Sequence, residues 1–199
     1  GTVVISQVYG GGGNSGAPLT NDYVELFNRS GAPVSLDGWS VQYTSASGTG
    51  NFAANRTSLT GTVAPGQYHL VQLAAGATPS GSLPAADDTG GINMSGTAGK
   101  VALVHSADGL ACNGSTTACT PEQLALVADL VGFGTANFFE GGAAAPTLSN
   151  ATAAIRGNGG CSDTDDNSAD FDTAAPAPRN AATAAAPCGD VDPSPSPTP

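Results

Sequence analysis

An all-β sandwich of two antiparallel sheets joined by long loops is the fold this sequence predicts, on three observations. About seven short runs of β-branched, aromatic and aliphatic residues recur between turn residues. The turn residues are abundant, with 28 glycines and 14 prolines in 199 residues, and only 11% of positions are charged. No stretch carries helical apolar spacing through several turns between caps. The length suits one domain with a sizeable core, since a chain of this size buries roughly 70% of its unfolded surface.

Thr2 to Tyr9 opens the chain as a β-branched strand that ends in four glycines, Gly10 to Gly13. Tyr23 to Phe27 forms the second strand and Trp39 to Tyr43 the third, across the turn-rich stretch Asn28 to Gly38. Trp39, the only tryptophan, is expected in mid-strand as a core anchor. Ala64-Pro65-Gly66 is a type II turn signal, because proline presets φ and glycine supplies the positive φ that follows. Tyr68 to Leu73 comes next, then Lys100 to His105, Leu126 to Phe133 and Thr152 to Gly157, while Pro121 to Leu126 could start a short helix. The long loops Thr44 to Thr62 and Ala74 to Gly99 are where binding specificity would reside. Tyr9, Phe27, Phe138 and Phe139 are core or partner patch, and Phe138-Phe139-Glu140 is the expected exposed apolar spot. The domain is expected to span 1–179, followed over 180–199 by an Ala/Pro/Ser-rich linker ending in a polyproline-like spacer whose root Cys188 would pin.

The net charge of −11 sets 16 acids against Arg29, Arg56, Lys100, Arg156 and Arg179. These five are scattered, which argues against binding of nucleic acid or anionic membranes, both of which rely on clustered cations. No apolar run approaches the ~18 residues of a membrane span. Cys112, Cys119, Cys161 and Cys188 lack zinc-site spacing and read as two disulfides, Cys112 with Cys119 and Cys161 with Cys188, because each pair then brackets its own loop. Disulfides imply export, and a chain that opens at Gly1 without a signal segment fits a leader that has been cleaved or left out of the sequence. The expectation is a secreted, extracellular monomer.

The order of motifs is specific: VVISQVYGGGGNSG, then NDYVELFNRSGAPVSLDGWSVQY, APGQYHLV, DLVGFG, and finally CSDTDDNSADF before APAPRN. This order resembles the lamin tail domain as it occurs in secreted bacterial proteins, from Val3 to Arg179. The resemblance implies an immunoglobulin-like sandwich and a module that is mostly non-catalytic. It also implies a neighbour, since such modules often precede an extracellular nuclease or phosphatase of the endonuclease/exonuclease/phosphatase type. Animal lamin tails bind nuclear partners, a role this acidic, cysteine-bearing chain should not be given.

Candidate chemistry is sparse. Gly10 to Gly13 with Asn14 to Gly16 invites a phosphate-loop reading, but a helix and a lysine are missing after the glycines. Gly99-Lys100 lacks the glycine and hydroxyl positions of a Walker motif, with Met94 and Val101 in their places. A hydrolase would use Ser15 with His69 or His105, each of which fits a strand face as well. No acidic cluster lies beside a histidine as a metal-dependent nuclease requires, and Asp22 and Glu25 stand alone in their segment. Five of the 16 acids fall between Asp163 and Asp172. Within them Asp163, Asp165, Asn167 and Asp170 offer alternating oxygens for Ca²⁺, although Ser168 replaces the EF-hand glycine and the closing glutamate is absent. The alternative is that the Asp and Asn side chains make Asx-turns and cap backbone N–H groups before Phe171. Sequons begin at Asn28, Asn55, Asn93, Asn113 and Asn150, and matter only in a eukaryotic host.

Three functions follow. The first is a non-catalytic extracellular lamin-tail module for targeting, spacing or binding an unknown protein or extracellular polymer, attached to a secreted hydrolase such as a nuclease. The second is a Ca²⁺-stabilised cell-surface adhesion or matrix domain. The third is an intrinsic hydrolase using Ser15 or His105.

Overall fold

The computed structural model of the chain describes residues 1–189. The expected Pro-Ser spacer, 193–199, lies outside the described residues. The elements run β1 (Val3–Tyr9), β2 (Asn21–Asn28), β3 (Val34–Ser35), β4 (Ser40–Ser45), β5 (Arg56–Ser58), β6 (Thr62–Val63), β7 (Tyr68–Ala75), β8 (Asp88–Thr89), β9 (Gly99–Val104), α1 (Pro121–Leu124), β10 (Val127–Phe133), β11 (Ala153–Arg156), α2 (Asn167–Asp170) and β12 (Phe171–Ala174). Two sheets carry the sandwich, a larger one ordered β12-β11-β1-β2-β7-β8 and a smaller one ordered β10-β9-β4-β5, with β3-β6 as a separate ribbon. All pairs are antiparallel except β7 with β8.

Alternation alone would not place both Ile5 and Val8 inside. A bulge between Ile5 and Gln7, against Leu26 and Glu25, inserts Ser6 and resets the phase, so that Val3, Ile5 and Val8 all join the core. Facing them from the smaller sheet are Val41, Tyr43, Val101, Leu103, Val131 and Phe133. The alternate residues of both sheets are buried too. Ala102, Val104 and Leu130 pack under Phe52, Leu110 and Cys112, and Tyr9, Tyr23, Leu70 and Ala153 form a separate cluster behind the larger sheet. Loops therefore cover the outer faces as well, adding layers to a sandwich that the strand pattern alone describes as two.

The turn at Ala64 forms as expected, with Gly66 at φ +69° and Gln67 N–H donating to Ala64 O at 3.1 Å. Helix α1 begins at Pro121 under a capping box, Thr120 accepting from Gln123 N–H at 3.3 Å and Gln123 Oε1 accepting from Thr120 N–H at 2.9 Å.

Three expectations change. Trp39 sits just before β4 and is half-buried at the rim of the core, its ring centroid 4.1 Å from that of His105. Phe138 is not an exposed spot: it packs against the Phe52–Leu110 cluster, and the exposed large apolar side chains among the described residues are Leu124 and Leu126. The expected long loops contain β5, β6 and β8.

Candidate functional site

The acidic stretch before β12 is built around Arg156, the last residue of β11. Its side chain is fully buried, and Nε donates to Ile5 O at 2.8 Å. Nη2 forks onto both oxygens of Asp129, at 2.7 and 3.0 Å, while Nη1 reaches Ser162 O, Asp163 Oδ1 and Asp170 Oδ2 at 3.1 to 3.3 Å. The guanidinium also lies 4.5 Å over the Phe171 ring. The other oxygen of Asp163 accepts from Arg29 at 2.6 Å and from the Gly1 amine at 2.7 Å. Burial works against charge on Asp163, but the amine's hydrogen bond and the Arg156 and Arg29 charges hold its carboxyl below the usual range.

The remaining side chains of the stretch serve the backbone. Asp166 caps α2, accepting from Ser168 N–H at 3.0 Å and Ala169 N–H at 3.3 Å. Asp170 accepts from Thr164 N–H and Oγ1 at 2.9 and 2.8 Å. Asn167 acts like a piece of strand, its Nδ2 donating to Leu130 O at 2.9 Å and its Oδ1 accepting from Gly132 N–H at 2.8 Å. It thereby closes the free edge of β10. Of the four residues offered as Ca²⁺ ligands, Asp163 and Asp170 share Arg156, Asn167 bonds the edge of β10, and Asp165 takes a left-handed turn at φ +54°. Among the described residues no three His, Cys, Asp or Glu side chains converge as a metal-binding group.

A second buried centre lies behind the larger sheet. Glu25 is fully buried and accepts from Ser6 Oγ at 2.6 Å, Gln7 Nε2 at 3.0 Å, Arg179 N–H at 2.6 Å and Arg179 Nη2 at 2.7 Å. The Arg179 guanidinium stacks 3.8 Å over Tyr68 and donates to its hydroxyl at 2.7 Å. From there the chain forms a strap along the sheet. Gln67 Nε2 donates to Ala181 O and Thr183 O, Ala186 N–H donates to Gly66 O, and Cys188 is bonded to Cys161. Residues 180–189, expected as linker, are therefore part of the folded body, because their carbonyls satisfy donors of the β6–β7 turn. Both expected disulfides are present, with Cα separations of 5.0 Å for Cys112–Cys119 and 5.6 Å for Cys161–Cys188.

The strap borders two clefts. One of about 580 Å³ is walled by Leu19, Pro84, Ile155, Ala177 and Pro178, with Gln7 and Arg179 as polar points. The other, of about 640 Å³, lies between Thr2, Arg29 and the Cys161–Cys188 bridge.

Residues considered for catalysis are kept apart or engaged elsewhere. Ser15 is exposed in the β1–β2 loop, His69 in β7 pairs with Asp88 at 2.8 Å, and His105 lies against Trp39 beyond β9. Burial lowers the pKa of His105. Two N–H groups of the glycine loop are taken, Gly12 donating to Asp22 at 2.9 Å and Gly13 to Leu19 O at 2.8 Å. The roles of Asp129, Arg156 and Glu25 escaped sequence reasoning. Their signal was a charge inside an otherwise apolar strand, as in VADLVGF and AAIRG, since such a charge stays buried only when paired.

Among curated proteins none matches the chain. A family model described as the Lamin Tail Domain matches residues 1–128, the span from β1 through α1 into β10. The acidic corner and the strap lie beyond it. On that match and the sandwich described above, the chain belongs to the lamin tail domain family.

Proposed function

We propose that this chain works as a non-catalytic extracellular module that holds and places whatever is joined to its C-terminal segment, in the setting of a secreted hydrolase such as a nuclease. The observation that carries the reading is the strap. Its root is fixed to the body twice, by the Arg179–Glu25 pair to β2 and by Cys161–Cys188 to the corner after β11, so that the chain leaves the body from a rigid point. A lamin tail domain is a non-enzymatic immunoglobulin-like unit, and two disulfides are consistent with an extracellular setting. The apolar cleft of about 580 Å³ beside the strap is the surface we assign to partner recognition, of a protein or an extracellular polymer.

Two measurements test the proposal. The intact mass and C-terminal peptide of the native secreted product are expected to place a catalytic domain after this module; a product that ends near Pro199 sinks the attachment. The chain itself is expected to release no product from phosphodiester, phosphomonoester or carboxylic ester substrates. Turnover that disappears in His69→Ala or His105→Ala would replace this reading with a hydrolase.

A further inference from the structure

Lys100 is the buried cation that no function so far accounts for. It lies in β9 with no solvent exposure, and none of the ion pairs among the described residues includes it. Its Nζ donates to two neutral oxygens, Asn113 O at 2.8 Å and Asn137 Oδ1 at 2.9 Å. Burial lowers the lysine pKa and so favours the neutral amine, the nucleophilic form.

The Asn137 carboxamide is held from both ends. Its oxygen takes the lysine, its Nδ2 donates to Ser115 Oγ at 2.8 Å, and its backbone N–H donates to Ala46 O at 3.1 Å. Asn113 is fixed as well, its amide donating to Gly50 O and Thr116 Oγ1 beside the Cys112–Cys119 bridge. An amine hydrogen-bonded to a carboxamide oxygen sits beside the carbon that bears that oxygen. With both partners immobilised, the entropy of bringing them together has been met by folding.

We propose that Lys100 and Asn137 react to form an intramolecular amide cross-link between β9 and the loop after β10. The lone pair of neutral Nζ adds to Cγ of Asn137, and the Cγ–Nδ2 bond breaks. A proton shed by Nζ ends on Nδ2, which leaves as ammonia; the Ser115 hydroxyl touches that nitrogen and is placed to relay the proton. Nothing is oxidised or reduced. The product keeps one N–H on the former lysine nitrogen, for which Asn113 O remains the acceptor.

Mass spectrometry of the full chain, reduced and denatured, tests this. The expected mass is lower than that of the sequence by one ammonia, and proteolysis should yield a branched peptide joining the segments that carry residues 100 and 137. Asn137→Ala, at a side chain on the surface, keeps its backbone bond to Ala46 and is expected to show its full calculated mass, as is Lys100→Arg. Two results overturn the proposal. One is a wild-type chain that holds its full mass through prolonged incubation, and the other is an ammonia deficit that persists in Asn137→Ala.

Discussion

Arg156 offers one guanidinium to three carboxylates, and its loss leaves Asp129, Asp163 and Asp170 buried without it. Arg156→Met is therefore expected to lower stability by about 3–5 kcal/mol, read from urea denaturation, and Arg156→Lys to restore little because ammonium lacks the fork that grips Asp129. A loss within the range of a surface substitution would mean that the acids relax into water. Glu140 and Asp22 set the pH response. Burial first, then the charge of Asp129, pushes Glu140 up to about 8 from its usual 4.5, and burial pushes Asp22 up to about 6 from 3.8. In both, the folded chain keeps a proton that the unfolded chain has released, so stability falls as pH rises from about 5 to about 8. The midpoint of thermal unfolding should be higher at the acidic end of that window. Glu140→Gln should flatten the upper half of the curve and lessen the slope of the lower half, where Asp22 contributes as well. A rising curve would refute the assignment. Arg156 and Asp129 leave one trace in the sequence, a charge within an apolar strand, whereas Glu140 leaves none beside the aromatic pair Phe138-Phe139.

At the level of elements, long strands were legible and short ones were not. TVVISQVY and YHLVQL announce themselves by β-branched and aromatic content, whereas the two-residue strands β3, β6 and β8 exist because β2 and β7 bring their partners near. Strand β12 was hidden behind its own acids, since FDTA has one apolar residue facing in and three side chains in water. The sequence of its preceding corner fits either a turn or a calcium site, and the hydrogen bonds favour the turn. Melting with and without chelator is expected to give one midpoint; a rise on adding Ca²⁺ would restore the metal reading. The strap offers a different test. Replacing Cys161 and Cys188 by serine should cost roughly 3.6 kcal/mol by loop-entropy bookkeeping, against roughly 2.5 kcal/mol for Cys112 and Cys119, compared by denaturant titration of the two double variants. Equal losses would place the strap's hold in Arg179 and Gln67 rather than in the bridge.

For the whole molecule, composition was the better guide to fold than to site. Turn residues and low charge pointed to the sandwich, and the family match agrees with it. The strap was illegible because Asn180 to Cys188 has a linker's composition and is ordered by donors that lie far away in the chain, such as Gln67. Net charge remains a global property: with 16 acids against five Lys and Arg, self-repulsion opposes compactness. Moderate NaCl should therefore raise the thermal midpoint by a few degrees, since salt screens exposed acids more than the buried Arg156 and Glu25 pairs. A fall would show that screened surface pairs outweigh repulsion. The strap's bridge also decides how the molecule bears tension. A pull arriving through Gly189 meets Cys188 and passes directly to Cys161 at the corner after β11, so the stretch between them, 162–187, stays slack. Without the bridge the same pull would unzip the strap one hydrogen bond at a time, from Ala186 through Thr183 to the Arg179–Glu25 pair, and bare Tyr68 and Phe27 on the back of the larger sheet.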